Sequence, residues 1–283
     1  MIEQDFKILM LQAFQEDFRD TGDITSQAIF SQEQGEAAII AKSSGVISGI
    51  HWVNKIFSHC NPTLRILPGK KDGDYYEYGD IIVSLQGPVS SILQGERTAL
   101  NFLGYLSGIA TATHRYQSLL SSLGNTVLLD TRKTLPGYRL LAKEAVVHGG
   151  GKNHRIGLYD MVMIKDNHID AAGGLSEAVQ RVRKKHGTNY KIEVECRTLE
   201  DVQQALNLSV DMIMLDNMDV QTCSQALAMR KTMGTTIPFE ASGDMDEAKI
   251  REYGSLGLDY ISSGRITHSV VACNFSLKYG STT

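Results

Sequence analysis

The chain has few cysteines, and none sit in a metal-type or redox-type pair. Cys60, Cys196, Cys223 and Cys273 are far apart with no C-x-x-C spacing. That pattern argues against a zinc site or a disulfide framework, and reads as reduced thiols in a cytoplasmic protein. Long apolar runs are also missing: nothing approaches the roughly 18 residues that cross a bilayer as a helix. The start, Met1-Ile2-Glu3-Gln4-Asp5, has no basic-then-apolar leader, so a helix is expected there and a secretory signal is not. Neither sign of charge dominates. A net charge of −4 gives no reason to expect nucleic acid or an acidic membrane surface as a partner. Low-complexity segments and linkers are absent. What remains is an ordinary globular composition, 42% hydrophobic and 21% charged over 283 residues, enough for one large domain or a barrel with a smaller module.

In the second half, short apolar runs recur, and each stops at a polar or charged residue. Val127-Leu128-Leu129 leads to Asp130, Arg132 and Lys133. Met161-Val162-Met163-Ile164 leads to Lys165, and Ile192-Glu193-Val194 to Glu195. Met212-Ile213-Met214-Leu215 leads to Asp216, Ile237-Pro238-Phe239-Glu240 to Ser242-Gly243, and Tyr260-Ile261-Ser262 to Gly264. Runs of this length, separated by helical patterns, read as strands of βα units. In a closed barrel of such units the carboxyl ends of the strands share one face, where active sites sit. A basic pair, a lysine, two acids and two glycine turns are therefore expected in one pocket suited to an anion. Helices are expected at 174–186, 198–208, 219–233 and 245–256, with start signals at Thr198 with Asp201 and at Asp219.

The first part reads differently. An amphipathic helix is expected over 6–18, strands over 37–41, 46–49, 63–67 and 81–85, and a short helix over 51–59. This is a small α+β module without repeating βα units. A long helix follows over 89–121, in which Gly104 and Gly108 indicate either close packing or a break. The expected division is a module over 1–110, a barrel over 111–269, and a tail over 270–283 that packs back on the module.

Residues 130–168 are dense in cations, including Arg132, Lys133, Arg155 and Lys165, with His148, His154 and His168 and the run Gly149-Gly150-Gly151. Arginine forks match carboxylates and phosphates, and lysine supplies a compact charge. A solvated surface loop is the plain alternative. Lys165 suits anion binding, Schiff-base chemistry or a simple strand-end ion pair. Glu195 and Asp216, ending successive strands, suit a Mg²⁺ that also holds substrate phosphates, or they balance the cationic rim without metal. Ser242-Gly243 and Ser263-Gly264 follow the last two strands, where barrels often bind phosphate, though most such dipeptides are only turns. Arg97, on the long helix, has the setting of a surface residue.

Taken in order, these segments closely resemble the quinolinate phosphoribosyltransferase family. The matching strings are E-R-T-A-L-N-F-L-x-x-L-S-G-I-A-T at 96–111, D-T-R-K-T-x-P-G at 130–137 and G-G-G-x-N-H-R-x-G-L-Y-D at 149–160. They continue with I-K-D-N-H-I at 164–169, E-V-E at 193–195, D-x-I-M-L-D-N-M at 211–218, E-A-S-G at 240–243 and T-H-S at 267–269. The resemblance implies an α/β fold: an amino-terminal α/β sandwich module and a slightly open, seven-stranded β/α barrel. It implies a homodimer in which Arg97 reaches the partner's pocket. It assigns Arg97, Arg132, His154, Arg155 and Lys165 to quinolinate, Thr131 to substrate binding, and Lys133, Glu195 and Asp216 to phosphoribosyl pyrophosphate and Mg²⁺. The turns Ser242-Gly243 and Ser263-Gly264 would take the 5-phosphate. The implied activity is phosphoribosyl transfer to quinolinate with loss of CO₂, giving nicotinate mononucleotide in NAD synthesis.

The chain departs from the usual family pattern at Asp244, where a glycine is common, and at Arg265-Ile266, where Ala-Leu is common. An aspartate beside a phosphate repels it, so Asp244 and Arg265 are expected to pair at the rim of the phosphate loop. The open alternatives are a related transferase with another heterocyclic acid, a Schiff-base aldolase using Lys165, and a non-catalytic anion-binding protein.

Overall fold

Residues 1–280 are described in the computed structural model; the last three residues of the expected tail lie outside the described residues. The chain runs α1 (Ile2–Phe18), α2 (Ile24–Ile29), β1 (Gln34–Ala41), β2 (Gly45–Val46), α3 (Ile50–Cys60), β3 (Arg65–Pro68), β4 (Tyr75–Tyr76), β5 (Ile81–Pro88) and α4 (Val89–Leu123). It continues with β6 (Val127–Leu129), α5 (Arg139–His148), β7 (Val162–Ile164), α6 (Asp166–Ala172), α7 (Leu175–His186), β8 (Ile192–Cys196), α8 (Leu199–Leu206) and β9 (Met212–Asp216). The last elements are α9 (Val220–Thr232), β10 (Phe239–Ser242), α10 (Glu247–Tyr253), β11 (Tyr260–Ser262), α11 (Arg265–His268) and β12 (Phe275–Tyr279). No helix among the described residues is long and apolar enough to cross a membrane.

Two units emerge. One holds Met1–His114, Leu135–Gly150 and the chain from Ser269 on; the other holds Arg115–Thr134 and Gly151–His268. The change of unit falls inside α4, close to the expected 110, but residues 135–150 group with the first unit and not with the barrel. Local contacts explain it. Trp52 Nε1 donates to Glu144 Oε2 at 2.8 Å, and Ser48 Oγ lies 2.9 Å from His148 Nδ1. Gly149 packs so closely on α4 that a Cβ there would meet the Ala110 carbonyl oxygen at 2.4 Å.

In the first unit an antiparallel sheet is ordered β12-β1-β5-β3. Ile39, Val83 and Leu85 of β1 and β5 are buried. Helix α1 presents Phe6, Met10 and Phe14 at four-residue spacing, and Phe6 sits 4.4 Å from Trp52 and 5.2 Å from Phe102, ring to ring. Helix α4 runs without a break. Its glycines mark close packing: a Cβ at Gly104 would meet the Cys273 carbonyl oxygen at 2.8 Å, and one at Gly108 the Val271 oxygen at 2.4 Å.

The second unit is built on a parallel sheet ordered β6-β11-β10-β9-β8-β7. All five residues of β8 are buried, as a strand covered on both faces requires. Six strands form, against seven expected. The seventh is reduced to one parallel bridge between Leu129 and Lys152. Three glycines precede Lys152, and His154 is already drawn away by a 2.8 Å hydrogen bond from its backbone N–H to Asp130, so the ladder has no length in which to grow. The helix starts follow local chemistry. Thr198 and Asp201 form a reciprocal capping box, and Asp219 accepts from the Thr222 N–H at 2.7 Å. Helix α6 starts within the I-K-D-N-H-I string at 164–169 and runs on to Ala172, where no helix was expected.

Gly108→Ala tests the packing of the returning segment. Helix propensity alone favours alanine by about 1 kcal/mol, whereas overpacking costs about 1–3 kcal/mol. A backbone carbonyl cannot rotate aside like a side chain, so the clash wins, and a lowered urea midpoint is expected. A raised midpoint would show that Val271 does not lie against α4.

Candidate active site

A cavity of about 430 Å³ opens at the carboxyl ends of the parallel strands in the second unit. It is lined by Thr131, Arg132 and Lys133 after β6, Arg155, Lys165 after β7, Glu195 at the end of β8 and Asp216 at the end of β9. Ser242, Gly243 and Asp244 follow from β10, and Gly264 and Arg265 from the turn after β11, with His154 at the floor. Two residues expected from the sequence do not line it. The Ser263 hydroxyl turns inward and donates to the Met245 carbonyl at 2.6 Å, leaving Ser262 as the serine at the wall. Arg97 is an exposed residue of α4 in the first unit.

The rim is cationic, and its charges are held in place. Lys165 Nζ is ion-paired with Glu195 Oε2. That pairing makes Lys165 a poor Schiff-base amine, which needs a desolvated or cationic setting. Burial, and then the neighbouring Arg132 charge, pull the Arg155 guanidinium below its usual range. A guanidinium does not lose its proton, so this repulsion is a positive potential that an anion would relieve. The Thr267 hydroxyl donates to the Lys133 carbonyl at 2.8 Å and anchors the strand-end turn that carries Lys133.

The turn after β10 needs its glycine. Gly243 has φ +125°, and a Cβ there would meet Asn217 Oδ1 at 2.3 Å. Asp244 follows with φ +49°, a left-handed conformation that aspartate tolerates better than most residues. Its Oδ1 accepts from Arg265 Nε at 3.3 Å and Nη2 at 3.2 Å, so the expected pair is formed, though both side chains are exposed. Lys249 Nζ donates to the Gly243 carbonyl at 2.8 Å and ties the turn to α10.

Glu195 and Asp216 suit a Mg²⁺ held mainly by its substrate. Two carboxylates face one cavity from adjacent strands, and they leave most of an octahedral shell to water and ligand oxygens. Asp216 also accepts from the Asn217 side-chain amide at 2.8 Å.

Below this rim lies a group that the sequence reading passed over. Glu193 and Glu240 are fully buried and meet the ring of His154, whose Nε2 is 2.8 Å from Glu193 Oε2 and 3.3 Å from Glu240 Oε2. Their signal was present: Glu193 is two residues from Glu195 and Glu240 two from Ser242, hence on the same side of their strands. Burial disfavours a charged ring, but the carboxylates outweigh it and raise the His154 pKa to about 10. Burial and the Glu240 charge push Glu193 up to about 7. The Arg155 amide pulls the other way, because it donates to His154 Nδ1 at 2.7 Å and so opposes a second ring proton. An Nε2 proton therefore faces the carboxylates throughout.

The folded cluster thus binds protons that the unfolded chain has released. Since stability falls with pH wherever the native state holds more protons, its contribution is greatest below the ordinary carboxylate pKa, declines as pH rises through about 7, where Glu193 loses its proton, and goes on declining toward about 10. Thermal midpoints of wild type and His154→Gln should converge across that window. Midpoints that diverge as pH rises would contradict the sign.

Comparison with known proteins identifies the family. Residues 23–107 match the quinolinate phosphoribosyl transferase N-terminal domain and residues 109–278 its C-terminal domain. A probable carboxylating nicotinate-nucleotide pyrophosphorylase of Bacillus subtilis (strain 168) is 41% identical, covering 96% of this chain and 92% of its own length. The chloroplastic carboxylating nicotinate-nucleotide pyrophosphorylase of Arabidopsis thaliana is 39% identical, covering 97% and 82%. The solved nicotinate-nucleotide pyrophosphorylase of Francisella tularensis superposes with a TM-score of 0.93 at 36% identity, over 98% of this chain and 96% of that one. With two matching domains and relatives near 40% identity along almost its whole length, the chain belongs to the quinolinate phosphoribosyltransferase family.

Proposed function

We propose that this protein transfers the phosphoribosyl group of phosphoribosyl pyrophosphate to quinolinate and releases pyrophosphate and CO₂, forming nicotinate mononucleotide for NAD synthesis. The observation that carries the reading is one cavity in which Arg132, Arg155 and Lys165 stand beside Glu195, Asp216 and the Ser242-Gly243 turn. A dianionic acid and a phosphorylated sugar need these two kinds of surface side by side.

In this reading the cations Arg132, Arg155 and Lys165 hold the two carboxylates of quinolinate and aim its ring nitrogen at the ribose carbon. Such orientation supplies up to about 7–11 kcal/mol in favourable cases. Lys133 faces the pyrophosphate, and the turns at Ser242-Gly243 and Gly264 receive the 5-phosphate through close backbone approach. Glu195 and Asp216 would hold Mg²⁺, which when bound neutralises charge on the departing pyrophosphate oxygens. As the bond to pyrophosphate breaks, the ring nitrogen bonds to the ribose carbon. The positive ring then accepts the electron pair left when the adjacent carboxylate departs as CO₂, and that carbon takes up a proton. No covalent bond to the enzyme is required.

The same reading makes the protein a homodimer whose Arg97 completes the neighbouring pocket, which suits an exposed arginine outside its own cavity. All four cysteines are free thiols, which suits a reducing compartment such as the cytoplasm.

Chromatography of reactions containing quinolinate, phosphoribosyl pyrophosphate and Mg²⁺ should show nicotinate mononucleotide only when all three are present. Product from nicotinate in place of quinolinate would contradict the proposed acceptor. Arg155→Ala and Lys165→Ala should raise the KM for quinolinate more than that for phosphoribosyl pyrophosphate; the reverse ranking would sink this division of the pocket. Arg265→Ala should raise the KM for phosphoribosyl pyrophosphate, since Asp244 would be left unpaired beside the phosphate. Arg97→Ala and Lys165→Ala, each impaired alone, should regain part of the wild-type activity when refolded together, and a mixture no more active than either variant would refute shared sites.

A further inference from the structure

Glu193 and Glu240 have no part in the scheme above, yet they are fully buried acids held against His154, with Glu240 and His154 both at the cavity wall. Both are fully inaccessible, on β8 and β10, with β9 between them. Glu193 Oε1 and both oxygens of Glu240 lack a hydrogen-bond partner of good geometry. Buried carboxylates left in that state do little for the stability of a fold, and apolar side chains of similar size often serve it better. What they do engage is one ring. His154 is fixed at three points: its backbone N–H donates to Asp130 at 2.8 Å, its Nε2 faces Glu193 and Glu240, and its Nδ1 accepts from the Arg155 backbone N–H at 2.7 Å.

Two consequences follow. Both ring nitrogens of His154 are committed to the protein, so neither offers a proton to a ligand in the cavity. The ring also sets the backbone from which Arg155 projects, and the Arg155 guanidinium is steadied separately by the Met161 carbonyl at 3.3 Å. We propose that Glu193 and Glu240 are positioning residues that act through His154 to set the acid-binding Arg155. The proposal rests on the phosphoribosyl-transfer reading for the identity of the acid. A divalent cation between the same three side chains is the competing arrangement, since one ligand atom from each lies within 4.8 Å of the others.

The test uses the full-length protein with Glu240→Gln and Glu193→Gln, which keep size and change charge and hydrogen bonding. Long-range ¹H–¹⁵N spectra of the histidine rings are recorded beside steady-state kinetics, with His154 assigned from His154→Asn. Either variant should shift the His154 ring signals. Each should raise the KM for quinolinate about tenfold, as misplacing a binding group does, and leave that for phosphoribosyl pyrophosphate within about twofold. The unfolding midpoint of Glu240→Gln should not fall, because neither Glu240 oxygen has a hydrogen-bond partner of good geometry, whereas Glu193→Gln should lower it by weakening a 2.8 Å contact with His154. The proposal is overturned if the ring signals stay put in both variants. It is also overturned if the two KM values rise together, or if the purified protein carries a stoichiometric metal ion whose chelation moves the His154 signals. If the wild-type protein makes no product, the functional reading fails by itself, and the ring spectra still decide whether the two glutamates hold His154.

Discussion

The geometry of the second unit depends on the parallel hydrogen-bond ladder. A ladder fixes which side each residue faces, and a residue two positions away faces the same side. Glu193 below Glu195, Met214 below Asp216, and Glu240 below Ser242 therefore give each strand a lower and an upper tier on the interior side, while the register sets Glu195 and Glu240 both against Met214. The upper tier meets solvent and ligand. The lower tier is sealed, and the ladder leaves it no choice about what lies above it.

This arrangement stacks charges of opposite sign. The cations of the rim stand over a floor that holds two carboxyl groups and an imidazole. A cluster of arginines and lysines in one cavity repels itself, and Arg155 is depressed first by its burial and then by the Arg132 charge beside it. Negative charge buried beneath it lowers the cost of assembling the rim before any anion arrives. Charges in low dielectric act over several ångströms, so the floor need not touch the ligand to influence it.

Much of this was legible in the sequence, because the strands that build the site end in the residues that line it. Lys165, Glu195, Asp216 and Gly243 were readable as strand-end groups from an apolar run followed by a polar residue. The caps at Thr198 and Asp219 were equally local. What escaped was chemistry that depends on a third partner. Glu193 and Glu240 sit inside their strands, where an acid looks like an interruption until His154 arrives from a distant segment. Ser263 was expected beside Gly264 as a phosphate turn, but its hydroxyl answers the Met245 carbonyl, a contact that no spacing within the motif could reveal. Residues 135–150 went to the other unit through Trp52, Ser48 and Ala110, again partners far away in sequence.

The first unit is discontinuous in the chain, and this affects how it comes into being. Strand β1 is flanked on one side by β5, within the first 90 residues, and on the other by β12, which follows the whole second unit in the chain. During synthesis β1 therefore waits as an open edge while the whole second unit is translated. Such an edge is a template for pairing with another chain. Its outer position is closed only when Phe275–Tyr279 arrives and the preceding segment settles against Gly104 and Gly108. The catalytic unit has its full sequence before its neighbour can close, so the last stretch of the chain acts as the latch on the first.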